Sequence, residues 1–217
     1  MKSEKSDRRQ FLKTTAALTT GIAGIGMIPS HAYFGHALSE DSWKIVGPVE
    51  GFSPHVGTVL SMLNMMNYQI LQPVKDLTVE QLDYLQDAQS NSIGAMLFHM
   101  AATETYYQLN TFDNMKWGSW GEDVKKKWDV PMNLGDEARK QIKGNSLDYY
   151  LNILKETREK TREGFKQKDD DWLMKVDPEW GWNNYAKWFH VAEHYSNHNG
   201  QIKWIKNRLP GAKVARE

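Results

Sequence analysis

Apolar side chains recur every three or four residues along most of this chain, which is the spacing of helices that bury one face. The first run starts at Pro54, a residue suited to the first turn of a helix, and the second follows a capping residue at Asn91 or Ser92. Residues 77–82, between these runs, predict a short capped turn of helix. The apolar positions of the two runs are Val56, Leu60, Leu63, Ile70 and Val74, followed by Ile93, Met96, Leu97, Met100 and Tyr107.

Two further runs keep the same period. The third starts near Ser146, and the fourth starts near Asn183 or Asn184 and stops before Pro210, a common exit signal. The third is predicted to face the core with Leu147, Leu151, Leu154, Thr161 and Phe165, and to face water with Lys155, Glu156, Arg158, Glu159, Lys160 and Glu163. Four long amphipathic helices predict an all-α fold, a four-helix bundle over residues 54–210.

Residues 112–133, between the second and third helices, lack this period. They contain Gly118, Gly121 and Pro131, together with Trp117, Trp120 and Trp128. A connection of this length inside a compact domain is often functional. A surface excursion pinned by its tryptophans explains the composition equally well. The lysine run at 125–127 predicts a solvated face rather than a binding patch.

The composition of the 217 residues is that of one globular domain. The 27 basic and 27 acidic side chains cancel and no basic patch stands out, so nucleic acid is not an expected partner. The chain contains no cysteine, which excludes a disulfide scaffold, a thiolate zinc site and a cysteine nucleophile. Any metal ion must therefore be held by nitrogen and oxygen atoms.

The N-terminal residues predict an export signal rather than part of the fold. Residues 7–13, Asp-Arg-Arg-Gln-Phe-Leu-Lys, resemble the twin-arginine motif, and a mildly apolar run follows over 14–28. That run is short and rich in Thr and Gly for a membrane span. We therefore expect a cleaved signal peptide at 1–32, a linker at 33–53 and a tail at 211–217. The mature protein is expected in the periplasm or its equivalent, without a stable membrane span.

The strongest chemical signal is the spacing of His190, His194 and His198, which follow one another at one-turn steps in the fourth helix. His194 and His198 fall within the apolar stripe of that helix, and His190 lies at its edge. The stripe consists of Val191, Tyr195, Ile202, Ile205 and Leu209. Two buried neutral histidines each need a hydrogen-bond partner, whereas one metal ion satisfies both. The spacing leaves both interpretations open, packed histidines or a metal site.

A third ligand has to come from another part of the chain, and His99 is the other histidine inside a strongly patterned helix. Three neutral imidazoles leave coordination positions open on the ion, which is the pattern of a catalytic rather than a structural site. Glu104, Glu193 and His190 are candidate proton acceptors, and Gln201 is a candidate partner that orients a ligand. The two glutamates are equally well explained as ordinary helix-surface or interhelical carboxylates.

Two segments resemble motifs of the DinB/YfiT-like family. The block 190–202, His-Val-Ala-Glu-His-Tyr-Ser-Asn-His-Asn-Gly-Gln-Ile, resembles its last-helix motif, which is written around H-x-x-x-H-R-G-Q. The block 91–104 resembles its second-helix motif, with a single histidine ligand and a following glutamate, and residues 77–82 fit its linker. The likeness covers about residues 54–210. Asn199 departs from the pattern, because arginine is usual there.

The resemblance implies a four-helix bundle with a long connection between the second and third helices. It also implies a divalent ion, zinc or nickel, on His99, His194 and His198, and often a homodimer. Some relatives carry aspartate at the position of His194, which leaves His190 open as a ligand or as a partner of one.

Relatives of this kind are described as thiol S-transferases that use a low-molecular-weight thiol, or as metal-dependent hydrolases. A metal-dependent enzyme acting on an unidentified small molecule is therefore the leading expectation, with the tryptophan-rich connection walling its pocket. The exported location favours hydrolysis, because thiol cofactors of the cytosol are scarce outside the membrane. The alternatives are a non-catalytic metal-binding or stress-related protein, and a bundle in which the histidines are only packed.

Overall fold

The computed structural model describes residues 43–212, which form eight helices and no strand beyond isolated bridges. The helices are α1 Pro54–Val74, α2 Val79–Leu82, α3 Ile93–Thr111, α4 Glu122–Asn133, α5 Gly135–Gln141, α6 Leu147–Lys166, α7 Asp170–Met174 and α8 Asn184–Lys206. The all-α prediction is confirmed. The predicted signal peptide, most of the linker and most of the tail lie outside the described residues.

The predicted helix starts coincide with side-chain caps. The side chains of Ser92, Ser146 and Asn183 each accept a hydrogen bond from the backbone N–H three residues ahead, at the starts of α3, α6 and α8. The short helix α2 begins with a reciprocal pair in which Thr78 and Gln81 cap each other. These residues satisfy N–H groups that a helix cannot satisfy by itself.

The four long helices pack around one core. Helix α1 packs on α8, α8 packs on α3, and α3 packs on α6. The core between them is filled by large apolar side chains without exposed surface, among them Leu60, Leu63, Met96, Leu97, Tyr150, Phe165 and Trp188. Within residues 43–212, no helix is both long enough and apolar enough to cross a membrane.

The segment between α3 and α6, which includes the long connection at 112–133, contains two helices that its sequence pattern did not predict. Helix α4 carries the lysine run and packs on α3, and α5 follows it directly. Trp128 is buried at the α4–α3 contact, where its ring lies edge-on to Phe98 with centroids 5.7 Å apart. Pro131 lies inside α4 near its end. The proline and the few apolar positions concealed the helical period.

One side chain of α6 lies opposite to its predicted position. Arg158 was expected to face water, and it is instead buried against the fully buried Glu104 of α3. A carboxylate in the core is unstable without a charged or hydrogen-bonding partner, so the side chain of Arg158 is buried with it. The charge pattern of α6 does not reveal this, because its other charged positions do face solvent.

The described end of the predicted linker lies against α1. The rings of Trp43 and Tyr68 stack with centroids 3.5 Å apart, and Val49 is buried. Gly57 allows this approach, because a Cβ atom at that position would lie 2.5 Å from the backbone nitrogen of Val49.

Candidate metal centre

Three histidine rings converge between α3 and α8. The Nε2 atom of His194 lies 3.1 Å from Nε2 of His99 and 3.2 Å from Nε2 of His198. The ligand atoms of the three rings all lie within 4.8 Å of one another. Zinc binds imidazole at about 2.0–2.1 Å, so tetrahedral ligands lie roughly 3.4 Å apart. The two separations measured from His194 are close to that value.

Two of the three rings have their tautomer set by a neighbour. Nδ1 of His99 lies 2.9 Å from the carbonyl oxygen of Pro131, which can only accept a hydrogen bond. Nδ1 of His198 lies 2.8 Å from Oε1 of Gln201, the predicted orienting partner. Both Nδ1 atoms therefore donate, and both Nε2 atoms keep a lone pair that faces the centre of the cluster.

The third ring cannot satisfy this arrangement by hydrogen bonds alone. Nε2 of His194 can donate one proton to His99 or to His198, but not to both. Its Nδ1 atom is buried without a hydrogen-bond partner among the described residues. A cation at the centre would accept all three lone pairs at once. The donor set therefore fits a divalent metal ion, and the cluster indicates a metal site.

The environment keeps the three rings neutral, as ligation requires. Burial, reinforced by the neighbouring His198, lowers the pKa of His99 to about 4. Burial and the other two rings lower the pKa of His194 to about 3. Burial also lowers the pKa of His198, against the opposing effect of its hydrogen bond to Gln201.

Glu104, a predicted proton acceptor, lies in the core rather than on a surface. Its carboxylate accepts two hydrogen bonds from Arg158, one from Thr161 and one from Tyr195. Burial raises the pKa of this carboxyl, but the charge and hydrogen bonds of Arg158 outweigh it, so the net pKa is lowered. This environment favours a role in joining α3, α6 and α8, and proton transfer by Glu104 stays a prediction.

The other two predicted acceptors form a pair beside the cluster. Nδ1 of His190 lies 3.2 Å from Oε2 of Glu193, and both side chains are partly exposed. The ring of His190 lies 5.7 Å from that of His194, measured between centroids. His190 is not part of the converging group in the described chain. It lies one turn away, and neither it nor Glu193 is among the residues that line the adjoining cleft.

A cleft of about 830 Å³ opens beside His194 and His198. Its polar lining comes from Gln89, Ser90, Asn91, Asn197 and Gln201, with Trp204 among its apolar residues. Within residues 43–212, no aspartate, glutamate, lysine or arginine lines it. The sequence pattern did not indicate the segment 89–91 as a wall, because it lies before a helix and its one residue with a predicted role, Asn91, was a candidate helix cap. The expected tryptophan wall is not part of this cleft, since Trp117 packs instead on Tyr107.

Asn199, which stands where the DinB/YfiT pattern has arginine, points away from this cleft. It is buried, and its amide lies against Gln69 of α1. The amide therefore contributes to the α1–α8 contact.

Comparison with known protein families identifies the family of this chain. A family model described as mycothiol-S-transferase matches residues 58–211, well over half of the chain. The chain belongs to the mycothiol-S-transferase family. That family is DinB/YfiT-like, so the resemblance found in the two histidine motifs is confirmed. No curated protein matches the chain. The family model includes both ligand-bearing helices, α3 and α8.

Proposed function

We propose that this protein is a metal-dependent S-transferase that joins a low-molecular-weight thiol to an electrophilic small molecule. The observation that carries the proposal is the convergence of three Nε2 atoms at the wall of an 830 Å³ cleft. The family match supports a transferase in preference to the hydrolase expected from export alone. Zinc or nickel suits three imidazole nitrogens.

A divalent ion held by His99, His194 and His198 would lower the pKa of a bound thiol and stabilise the thiolate. In the transfer, the thiol loses its proton, the sulfur forms a bond to an electrophilic carbon, and the leaving group departs with the electron pair of its bond. The thiol proton needs an acceptor within reach of the site.

His190, whose ring lies 5.7 Å from that of His194 but outside the cleft lining, is the proposed acceptor of that proton. Its Nδ1–H faces the carboxylate of Glu193, which leaves the lone pair of Nε2 available. The carboxylate orients the ring. The amides of Asn197 and Gln201 offer donors and acceptors to the substrates, and the uncharged lining favours neutral ones.

We also propose that the protein is exported through the twin-arginine motif at residues 7–13. That route is understood to move folded proteins, so the ion can be loaded before export. An exported enzyme would need a thiol that is available outside the cytosol. The identity of that thiol is therefore the first question for a substrate screen.

The proposal is tested in two steps on protein purified without a metal-affinity tag. Bound metal is measured for the wild type, for His99→Ala and His198→Ala, and for His55→Ala as a control with an exposed histidine. We expect about one equivalent in the wild type and the control, and none in the other two variants. Metal in none of the four proteins would overturn the metal site.

The metal-loaded protein is then assayed with monobromobimane and a panel of thiols that includes mycothiol and glutathione. Conjugation above the rate with free metal, lost in His198→Ala, supports the transferase. Stoichiometric metal without turnover on this panel or on a panel of esters would favour the non-catalytic metal-binding protein instead.

A further inference from the structure

The end of α4 leaves its last carbonyl groups without helical partners, and those of Pro131 and Met132 both lie toward His99. In a continuing helix the N–H of Gly135 would bond to the carbonyl of Pro131, four residues earlier. Leu134 has φ 53° and ψ −146°, and this left-handed conformation ends the helix. The last N–H to bond within α4 is that of Leu134 itself, to Val130. The carbonyl of Pro131 is therefore free for the Nδ1–H of His99.

The side chain of Asn91 accepts the hydrogen bond that the N–H of Gly135 would make to Pro131 in a continuing helix. Its Oδ1 atom accepts a hydrogen bond from the N–H of Gly135 at 3.3 Å. Asn91 directly precedes Ser92, the residue that caps α3, and α3 carries His99. A second contact holds the same segments together, because Arg139 of α5 donates to the carbonyl of Gln89 at 3.0 Å.

We propose that Asn91 is a positioning residue for His99. By holding the N–H of Gly135, it keeps the carbonyl of Pro131 available, and that carbonyl fixes the proton of His99 on Nδ1. Nε2 is then always the unprotonated nitrogen and faces His194. This inference rests on the metal site proposed above, and it assigns to Asn91 a role distinct from its place in the cleft wall.

Without the Asn91 amide, the N–H of Gly135 has to find another acceptor. The carbonyl of Pro131 is the one that helical geometry would give it, and turning that oxygen toward the helix axis would weaken its bond to the Nδ1–H of His99. His99 could then carry its proton on Nε2, and that tautomer cannot bind an ion at the centre. Partners that orient a ligand in this way typically change metal affinity by about 10–100-fold.

The test compares Asn91→Ala with two matched variants. Asn91→Asp keeps an acceptor oxygen in the same place, and Ser90→Ala changes the neighbouring side chain in the same cleft wall. Metal-free protein labelled with ¹⁵N is examined by long-range ¹H–¹⁵N NMR for the tautomer of His99, and by hydrogen exchange at the amide of Gly135. Zinc affinity is measured by competition with a chelator.

We expect the wild type, Asn91→Asp and Ser90→Ala to hold the His99 proton on Nδ1 and to protect the Gly135 amide. Asn91→Ala should show mixed tautomers, faster exchange and zinc affinity weakened about 10–100-fold. The inference is overturned by an unchanged tautomer in Asn91→Ala, or by an equal loss in Ser90→Ala. If Asn91→Ala fails to fold, a mixed tautomer or unprotected Gly135 amide in the wild type would overturn it.

The two proposals fail separately. Absence of zinc binding by the wild type would remove the proposed function. The tautomer of His99 and the protection of Gly135 in metal-free protein would still decide the role of Asn91.

Discussion

Arg158 of α6 donates two hydrogen bonds to the carboxylate of Glu104 on α3, from Nε to Oε1 and from Nη2 to Oε2, each 2.8 Å long. Glu104 has no exposed surface. Two-pronged pairs of this kind fix orientation as well as distance. Tyr195, which directly follows His194 on α8, donates to the same carboxylate at 2.8 Å. The ion pair therefore joins the two ligand-bearing helices through their shared core.

Breaking this pair from one side should destabilise the fold strongly. Glu104→Gln leaves a buried guanidinium without its counter-charge, and we expect the free energy of unfolding to fall by about 3–5 kcal/mol. The double variant Glu104→Leu with Arg158→Met removes both charges and should lose less. Urea unfolding of metal-free protein measures both. An equal loss in the double variant would contradict the electrostatic explanation.

Acid should weaken the metal-free fold through the histidine cluster. The folded pKa values of about 4 for His99 and about 3 for His194 lie below the usual 6.5, so the unfolded chain binds more protons in acid. The free energy of unfolding therefore falls as the pH drops below about 6.5, by up to about 1.4 kcal/mol per pH unit for each ring. The loss continues to about pH 4 for His99 and about pH 3 for His194. Unfolding measured from pH 7 to 4 tests this. His99→Gln and His194→Gln should each flatten the profile, and an unchanged slope in both would refute it.

Removing the pair beside the cluster should impair turnover while leaving the metal in place. His190→Gln removes the proposed proton acceptor, and we expect kcat to fall by about 10²–10⁴-fold. Glu193→Gln removes only the orienting carboxylate and should have a smaller effect. Metal content, measured alongside kcat, should stay near one equivalent in both. A loss of metal from His190→Gln would identify His190 as a ligand instead.

Export should depend on the paired arginines of the N-terminal motif. Replacing Arg8 and Arg9 together with lysine keeps the charge but removes the motif that the export machinery recognises. We expect the full-length protein to accumulate in the cytoplasm of a host with a twin-arginine pathway, while the wild type reaches the periplasm. Cell fractionation and immunoblotting measure the distribution. Equal export of both proteins would contradict the assignment.

The local rules of helix formation made much of the fold predictable. Caps at Ser92, Ser146 and Asn183 and the period of the apolar residues placed the long helices, because those signals lie within a few residues of what they determine. Helix α4 was not predicted, because Pro131 and three lysines interrupt the period of its apolar residues. The burial of Arg158 was not predicted, because it depends on Glu104, which lies 54 residues earlier.

In the candidate site, too, the features set within one helix were predictable and those set by contacts between helices were not. The spacing of His194 and His198 is a property of one helix, and His99 could be found among the few remaining histidines. The carbonyl of Pro131 could not be predicted as a partner, because every residue has a carbonyl and only the fold shows which one is free. The cleft wall at 89–91 likewise depends on how α3 meets α8.

The histidine cluster also has a topological consequence. His99 and His194 are 95 positions apart in the sequence. An ion shared by their rings would tie the middle of this chain to its last helix, as a disulfide does in proteins that have cysteine. A permanent cross-link that closes a loop of that size raises the free energy of the unfolded chain by about 4–5 kcal/mol, because it removes conformational entropy. In a chain without cysteine, the metal would be a removable cross-link, so chelation should loosen the fold as well as stop the chemistry.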